Sequence, residues 1–161
     1  LAVCVTGEVL FSETFDEGWE DRWVASEVKG QDEGRWELSA GKFHGDPDDK
    51  GIRTTEDLRW YDLSTKLKTP INIVGKPFVF QYTVKHEQGL RCGGGYLKLL
   101  PVKDSKGLEL DQKQFSGDSE YSIMFGPDIC GSTKRVQVIF SRHGKHHLIE
   151  KDILCETDTL T

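Results

Sequence analysis

Tyr96 and Lys98 stand two residues apart, directly behind three consecutive glycines, Gly93, Gly94 and Gly95. Spacing of two puts both side chains on one face of a strand, a flat amphipathic ring beside a flexible ammonium donor, and the bare backbone before them permits close approach. Such a pair suits a saccharide, whose hydroxyls need hydrogen-bond partners and whose C–H patches rest on aromatic rings. The same residues also fit a glycine bulge beside an ordinary core tyrosine. A second segment, from Asp118 to Cys130, sets carboxylates at both ends of an aromatic run containing Tyr121, Met124 and Phe125. Asp118 and Asp128 are candidate acceptors for sugar hydroxyls, because charge-assisted hydrogen bonds are about twice as strong as neutral ones. After Gly126-Pro127, Asp128 also reads as the cap of a turn.

Other chemistries find weaker support. Strand-borne acids two and five apart would suit a glycosidase, and Glu109-x-Asp111-x-x-Gln114 comes nearest, but an amide in the third place cannot act as general acid or base. No Ser-His-Asp spacing stands out, and His143, His146 and His147 read as a solvated strand edge. The chain is therefore expected not to be an enzyme. Asp46-Pro47-Asp48-Asp49-Lys50-Gly51 has the oxygen-rich look of a calcium loop but fails as an EF-hand, since Lys50 takes a ligand position. Cys4, Cys92, Cys130 and Cys155 form no C-x-x-C pair, which argues against zinc and thioredoxin chemistry and leaves disulfides and free thiols open. A bridge between Cys92 and Cys130 would lock the glycine turn against the Tyr121 strand.

Strands must position these groups. Phe78, Phe80, Tyr82 and Val84 alternate with polar residues, as do Tyr121, Ile123 and Phe125, and Val136, Val138 and Phe140. Turn chemistry falls at Asp16-Glu17-Gly18, Gly45-Asp46-Pro47, Gly75-Lys76-Pro77, Gly126-Pro127-Asp128 and His143-Gly144-Lys145. Long helical periodicity is absent, so the pattern predicts a β-sandwich of one domain. Lys103 to Gly117 reads as a mobile polar loop. The balance of 27 acidic against 21 basic residues, net −6, disfavours nucleic acid as a partner. No apolar run approaches the roughly 20 residues of a membrane helix, so no transmembrane segment is expected. The apolar start divides the chain into residues 1–7, a signal-peptide remnant or the lead-in to a first strand, and residues 8–161. Asn72, the one asparagine, is not part of a glycosylation sequon.

Three stretches resemble the calnexin/calreticulin family: Tyr82 to Gln88, Cys92 to Lys98, and Tyr121 to Gly131. The similarity extends from about Glu8 through Asp152, including Gly18-Trp19, Arg22-Trp23 and Gly41-Lys42-Phe43, and His86-Glu87-Gln88 follows the calreticulin branch more than the calnexin branch. The resemblance implies an all-β, legume-lectin-like (concanavalin-type) β-sandwich, incomplete at its C-terminal end, acting as a lectin chaperone of the endoplasmic-reticulum lumen. Its ligands would be monoglucosylated high-mannose glycans on folding glycoproteins. Carried over residue by residue, Tyr96, Lys98, Tyr121 and Asp128 would hold the sugar, with Met124 and Ile139 lining the groove and Asp118 nearby. The family disulfide maps onto Cys92 and Cys130. Structural calcium would use main-chain oxygens of Thr14 and Lys50, plus a carboxylate from a segment outside this chain. Cys155 matches a cysteine usually unpaired, and its pairing with Cys4 is open. The resemblance also implies a partner in the remaining segment of the same lectin domain, which would cover unpaired strand edges. The alternative reading is a non-lectin module that binds unfolded polypeptide through the sandwich surface.

Overall fold

Short alternating runs separated by turn residues fold here as short strands. The computed structural model describes residues 7–155, which leaves Cys4, its open pairing with Cys155, and residues 1–6 of the lead-in outside the described residues. Among the described residues the regular elements are β1 (Val24–Ala25), β2 (Trp36–Ser39), β3 (Gly51–Thr54), β4 (Leu63–Ser64), β5 (Cys92–Gly94), β6 (Leu97–Leu99), β7 (Ile123–Cys130), β8 (Thr133–Arg142) and β9 (Lys145–Leu148), with three single-turn 3₁₀ helices. The chain divides into two compact units, one holding residues up to 80 with Gln112–Gln114, the other holding Gln81–Asp111 and the residues from 115 onward.

In the first unit β1 pairs with β4 and β2 with β3, both antiparallel. Its aromatic centre comes from Phe11, Phe15, Trp19 and Trp23, spaced four apart. Trp19 is only 6% exposed, and the Phe15 ring lies 6.4 Å from Trp19 and 5.4 Å from Trp23. A carboxylate beside this cluster needs donors to be tolerated. Glu13 has them: the Phe15 N–H at 2.7 Å, the Trp23 indole N–H at 2.9 Å, and the Arg22 guanidinium at 2.8 and 2.9 Å. The Arg22 hydrogen bonds are the largest cause of a Glu13 pKa lowered to about 2. A depressed carboxylate adds stability that is fully present above its unfolded value of 4.5 and is lost as pH falls through about 2. Glu13→Gln is therefore expected to lower stability at neutral pH and to flatten its decline on acidification across that window, as read by denaturant melts from pH 7 to 2.

The second unit is a five-stranded antiparallel sheet in the order β5-β7-β8-β9, with β6 also on β7. β7 and β8 are in register from Ile123↔Phe140 to Cys130↔Thr133, so their side chains sort onto two faces. One face is apolar, with Leu97, Leu99, Ile123, Phe125, Ile129, Val136 and Val138; Ile129 is 1% exposed. The other carries Lys98, Met124, Asp128, Arg135, Gln137 and Ile139. The expected turn at His143-Gly144 closes the β8–β9 hairpin, and both residues adopt the positive φ that a two-residue turn of this hand requires (51° and 71°).

Three expectations change. Gly126-Pro127-Asp128 is not a turn but the middle of β7. Gly126 and Pro127 lie opposite the gap between β5 and β6, where no ladder needs the missing proline N–H, and Pro127 O accepts instead from the Gly95 N–H at 3.1 Å. Gly126 sits at φ 143°, and a Cβ there would run into the Gly95 carbonyl and the Tyr82 hydroxyl, which itself donates to Gly95 O at 2.6 Å. Tyr121 does not share the face of Ile123 and Phe125 through the ladder, because β7 begins at Ile123. Phe78 to Val84 keeps its alternation of burial from 78 to 83 but belongs to no strand, since no described strand pairs with it. The Lys103–Gly117 interval contains an Asp104 turn, whose carboxylate accepts from the Lys106 and Leu108 N–H groups, and a 3₁₀ helix at Gln112–Gln114.

Candidate functional site

The polar face of the second unit brings most of the candidate residues together. Gly94 is opposite Asp128, and Lys98 is opposite Met124, which is opposite Ile139. Asp128 and Met124 therefore mark two ends of one face of β7. The Tyr96 ring folds back over Gly94, where a Cβ would collide with it, and its hydroxyl donates to Asp128 Oδ1 at 2.9 Å. Gln137 Nε2 donates to Asp128 Oδ2 at 3.0 Å, and Arg135 Nε lies 3.8 Å from that oxygen. These donors, Gln137 and then Tyr96, hold the Asp128 pKa below the ordinary aspartate value, so it is a carboxylate near neutral pH. Burial, followed by the bond to Asp128, pushes the Tyr96 hydroxyl up to about 12, so it stays protonated and donating. A carboxylate with about four acceptor sites retains capacity for ligand hydroxyls beyond these two donors.

At the Met124 end, Lys98 Nζ donates to Gly117 O at 2.9 Å and lies 5.3 Å from the Tyr121 ring centroid and 5.8 Å from that of Phe115. Tyr121, freed from the ladder, thus presents its ring to Lys98. Asp118 follows Gly117 in a tight turn in which its N–H donates to Ser116 Oγ at 3.2 Å. A disulfide joins Cys92 to Cys130, tying β5 to β7. The arrangement is an acceptor cluster and a cation–aromatic cluster joined by Met124 and Ile139, a surface able to hydrogen-bond hydroxyls and cover C–H faces.

Several contributors escaped the reading of the residues. Arg135 and Gln137 reach Asp128 only because β8 lies beside β7 in this register, which periodicity does not reveal. His146 lies on the exposed edge strand β9 as expected, and in addition stacks on Tyr121 with centroids 5.2 Å apart and planes 14° apart. Glu109 and Asp111 lie outside any strand and Gln114 is in a 3₁₀ helix, so the strand geometry that a glycosidase reading requires is not met there.

In the first unit, Thr14 and Lys50 line one cavity of about 260 Å³ with Phe15, Asp16, Glu17, Leu38, Asp48 and Asp49. Among the described residues no three His, Cys, Asp or Glu side chains converge to hold a metal. The Asp16, Glu17, Asp48 and Asp49 carboxylates in this lining are oxygen donors of the hard type that calcium takes. No helix of the described residues is long and apolar enough to cross a membrane.

Comparison with known proteins agrees with this architecture. The model of the calreticulin family matches residues 11–159. Calreticulin of Bombyx mori is 54% identical over 157 residues, covering 96% of this chain and 38% of that protein. Calreticulin of Oryctolagus cuniculus is 52% identical (95% and 36% covered) and that of Dictyostelium discoideum 53% identical (95% and 35% covered). Among solved structures, the T. cruzi calreticulin globular domain superposes with a TM-score of 0.79 at 40% identity, covering 95% of this chain and 55% of that one. The fold is accordingly all-β and lectin-like, a β-sandwich class. The chain spans little more than a third of the length of these curated relatives.

Proposed function

This chain belongs to the calreticulin family, and from that premise we propose that it is a carbohydrate-binding, non-enzymatic part of a lectin chaperone of the endoplasmic-reticulum lumen. Its ligands are monoglucosylated high-mannose N-glycans on folding glycoproteins. The observation that carries the reading is the polar face of the five-stranded sheet, where the Tyr96–Asp128 pair and the Lys98–Tyr121 pair flank Met124 and Ile139. In this reading Asp128 accepts sugar hydroxyls, Lys98 and Tyr96 exchange hydrogen bonds with them, Tyr121 covers the ring, Met124 and Ile139 line the groove, and Asp118 lies nearby. Such bonds replace bonds to water at modest net gain, so binding is shallow and reversible, with a Kd on the order of micromolar, roughly −8 kcal/mol.

Calcium is structural in this account. The Thr14 and Lys50 main-chain oxygens would hold it in the first unit, where it supplies a compact positive charge to an acidic turn. In this reading the remaining segment of the lectin domain would complete the sheet by covering unpaired strand edges.

Competition tests the proposal. A free glucosylated oligosaccharide is expected to displace a monoglucosylated glycoprotein from the protein and to leave any complex with denatured, unglycosylated polypeptide intact. Equal displacement of both, or of neither, would favour the polypeptide-binding module instead.

A further inference from the structure

The side chains of β9 are exposed, yet one of them reaches back to the binding face. His146 pairs with Ser141 in the β8–β9 ladder, and its Nδ1 lies 2.8 Å from Ser141 Oγ. The two-residue turn at His143-Gly144 fixes that register, and a slip of one residue would move the imidazole to the opposite face of the sheet. With its ring tethered at Nδ1, His146 lies nearly parallel to Tyr121 at a centroid distance of 5.2 Å. Tyr121 precedes the first ladder pair of β7, so strand alternation does not orient it. Its ring is held instead by Lys98 Nζ at 5.3 Å and by the His146 ring.

We infer that His146, tethered through Ser141, is a positioning residue for the glycan site, holding the Tyr121 ring in its sugar-binding orientation and walling the site on the β9 side. This rests on the glycan-binding reading above. The physical basis is preorganisation: a ring already held in the bound orientation loses less freedom when the ligand arrives. Stacking supplies most of that restraint without a hydrogen bond to the sugar, so another flat ring at position 146 serves nearly as well as imidazole, short only of the Ser141 tether.

The test is calorimetric titration of a glucosylated trimannoside into the full-length protein and its His146→Ala, His146→Phe, Ser141→Ala and Lys98→Ala variants, with Tyr121 ring resonances followed by NMR. An aromatic pair of ordinary strength predicts that His146→Ala weakens binding by about two- to tenfold. His146→Phe, which keeps the stacked ring but not the Ser141 tether, restores binding to about the level of Ser141→Ala, and the Tyr121 ring protons lose their ring-current shift in the alanine variant alone. Ser141→Ala, which keeps the ring but frees it, gives a smaller loss in the same direction and decides the matter if His146→Ala fails to fold. Wild-type affinity in His146→Ala, or a His146→Phe as weak as His146→Ala, would overturn the inference while Lys98→Ala still weakens binding by about 10- to 100-fold and leaves the site reading intact. A wild-type protein that binds no glucosylated trimannoside would remove the site reading and this inference together.

Discussion

Replacing Cys92 and Cys130 together by serine is expected to destabilise the protein by about 2–4 kcal/mol and to lower its melting temperature by about 5–15 °C. The bridge closes a loop between residues 38 apart, which the chain-entropy account values at about 4 kcal/mol before native-state strain is discounted. Local structure amplifies the effect. β5 is only three residues long, two of them glycine, and its place beside β7 rests on the pairs from Cys92↔Cys130 to Gly94↔Asp128. Without the bridge that edge frays, Gly94 no longer supports the Tyr96 ring, and the Tyr96–Asp128 hydrogen bond loses its geometry. Calorimetric melts with and without reductant check this: the wild type in reductant should approach the double variant. An oxidised wild type and a double variant with the same melting temperature would show that the ladder alone holds β5.

Lys98→Ala is expected to weaken binding of a monoglucosylated oligosaccharide by about 10- to 100-fold, the range that loss of a hydrogen bond from a charged donor implies. The ammonium contributes a charged donor and also faces the Tyr121 ring, so truncation removes two contacts to the same region. Lys98→Arg should rescue little, because a planar fork cannot reproduce a point donor placed between Gly117 O and the ring. Melting temperature should change little, since the side chain lies on the solvent side of the sheet, away from the apolar face. Parallel titrations and melts separate the two effects, and a large loss of stability at unchanged affinity would assign Lys98 to the fold rather than to the ligand.

How far these assignments were legible in the residues depended on whether the controlling contact was local. A spacing of two suggested one strand face for Tyr96 and Lys98, but Tyr96 falls in the gap between β5 and β6, and its ring is placed by Gly94 and Asp128 rather than by strand alternation. The β8–β9 hairpin was plain, since His143-Gly144 carries its own turn chemistry. Gly126-Pro127-Asp128 misled for the same reason in reverse: the dipeptide has turn character, and only the gap between β5 and β6 opposite it explains why a proline sits inside a strand. Tyr121 looked like a further member of the Ile123 and Phe125 alternation because periodicity cannot tell where a ladder starts. Arg135, Gln137 and His146 were invisible as members of the face, because each joins it across a strand boundary and no pattern within its own segment records the neighbour. Thr14 and Lys50, 36 positions apart, could be linked only by resemblance; the fold lines one cavity with both.

Discrimination of glucose by the polar face of the β5-β7-β8-β9 sheet is the central claim. The decisive measurement is isothermal titration of the full-length protein with two oligomannosides that differ only by the terminal glucose, in the presence of calcium. Saturable micromolar binding of the glucosylated sugar, lost on Tyr96→Ala, is expected, with at least about tenfold weaker binding of its unglucosylated counterpart. Equal affinity for the two sugars, or binding that survives Tyr96→Ala unchanged, would contradict that claim.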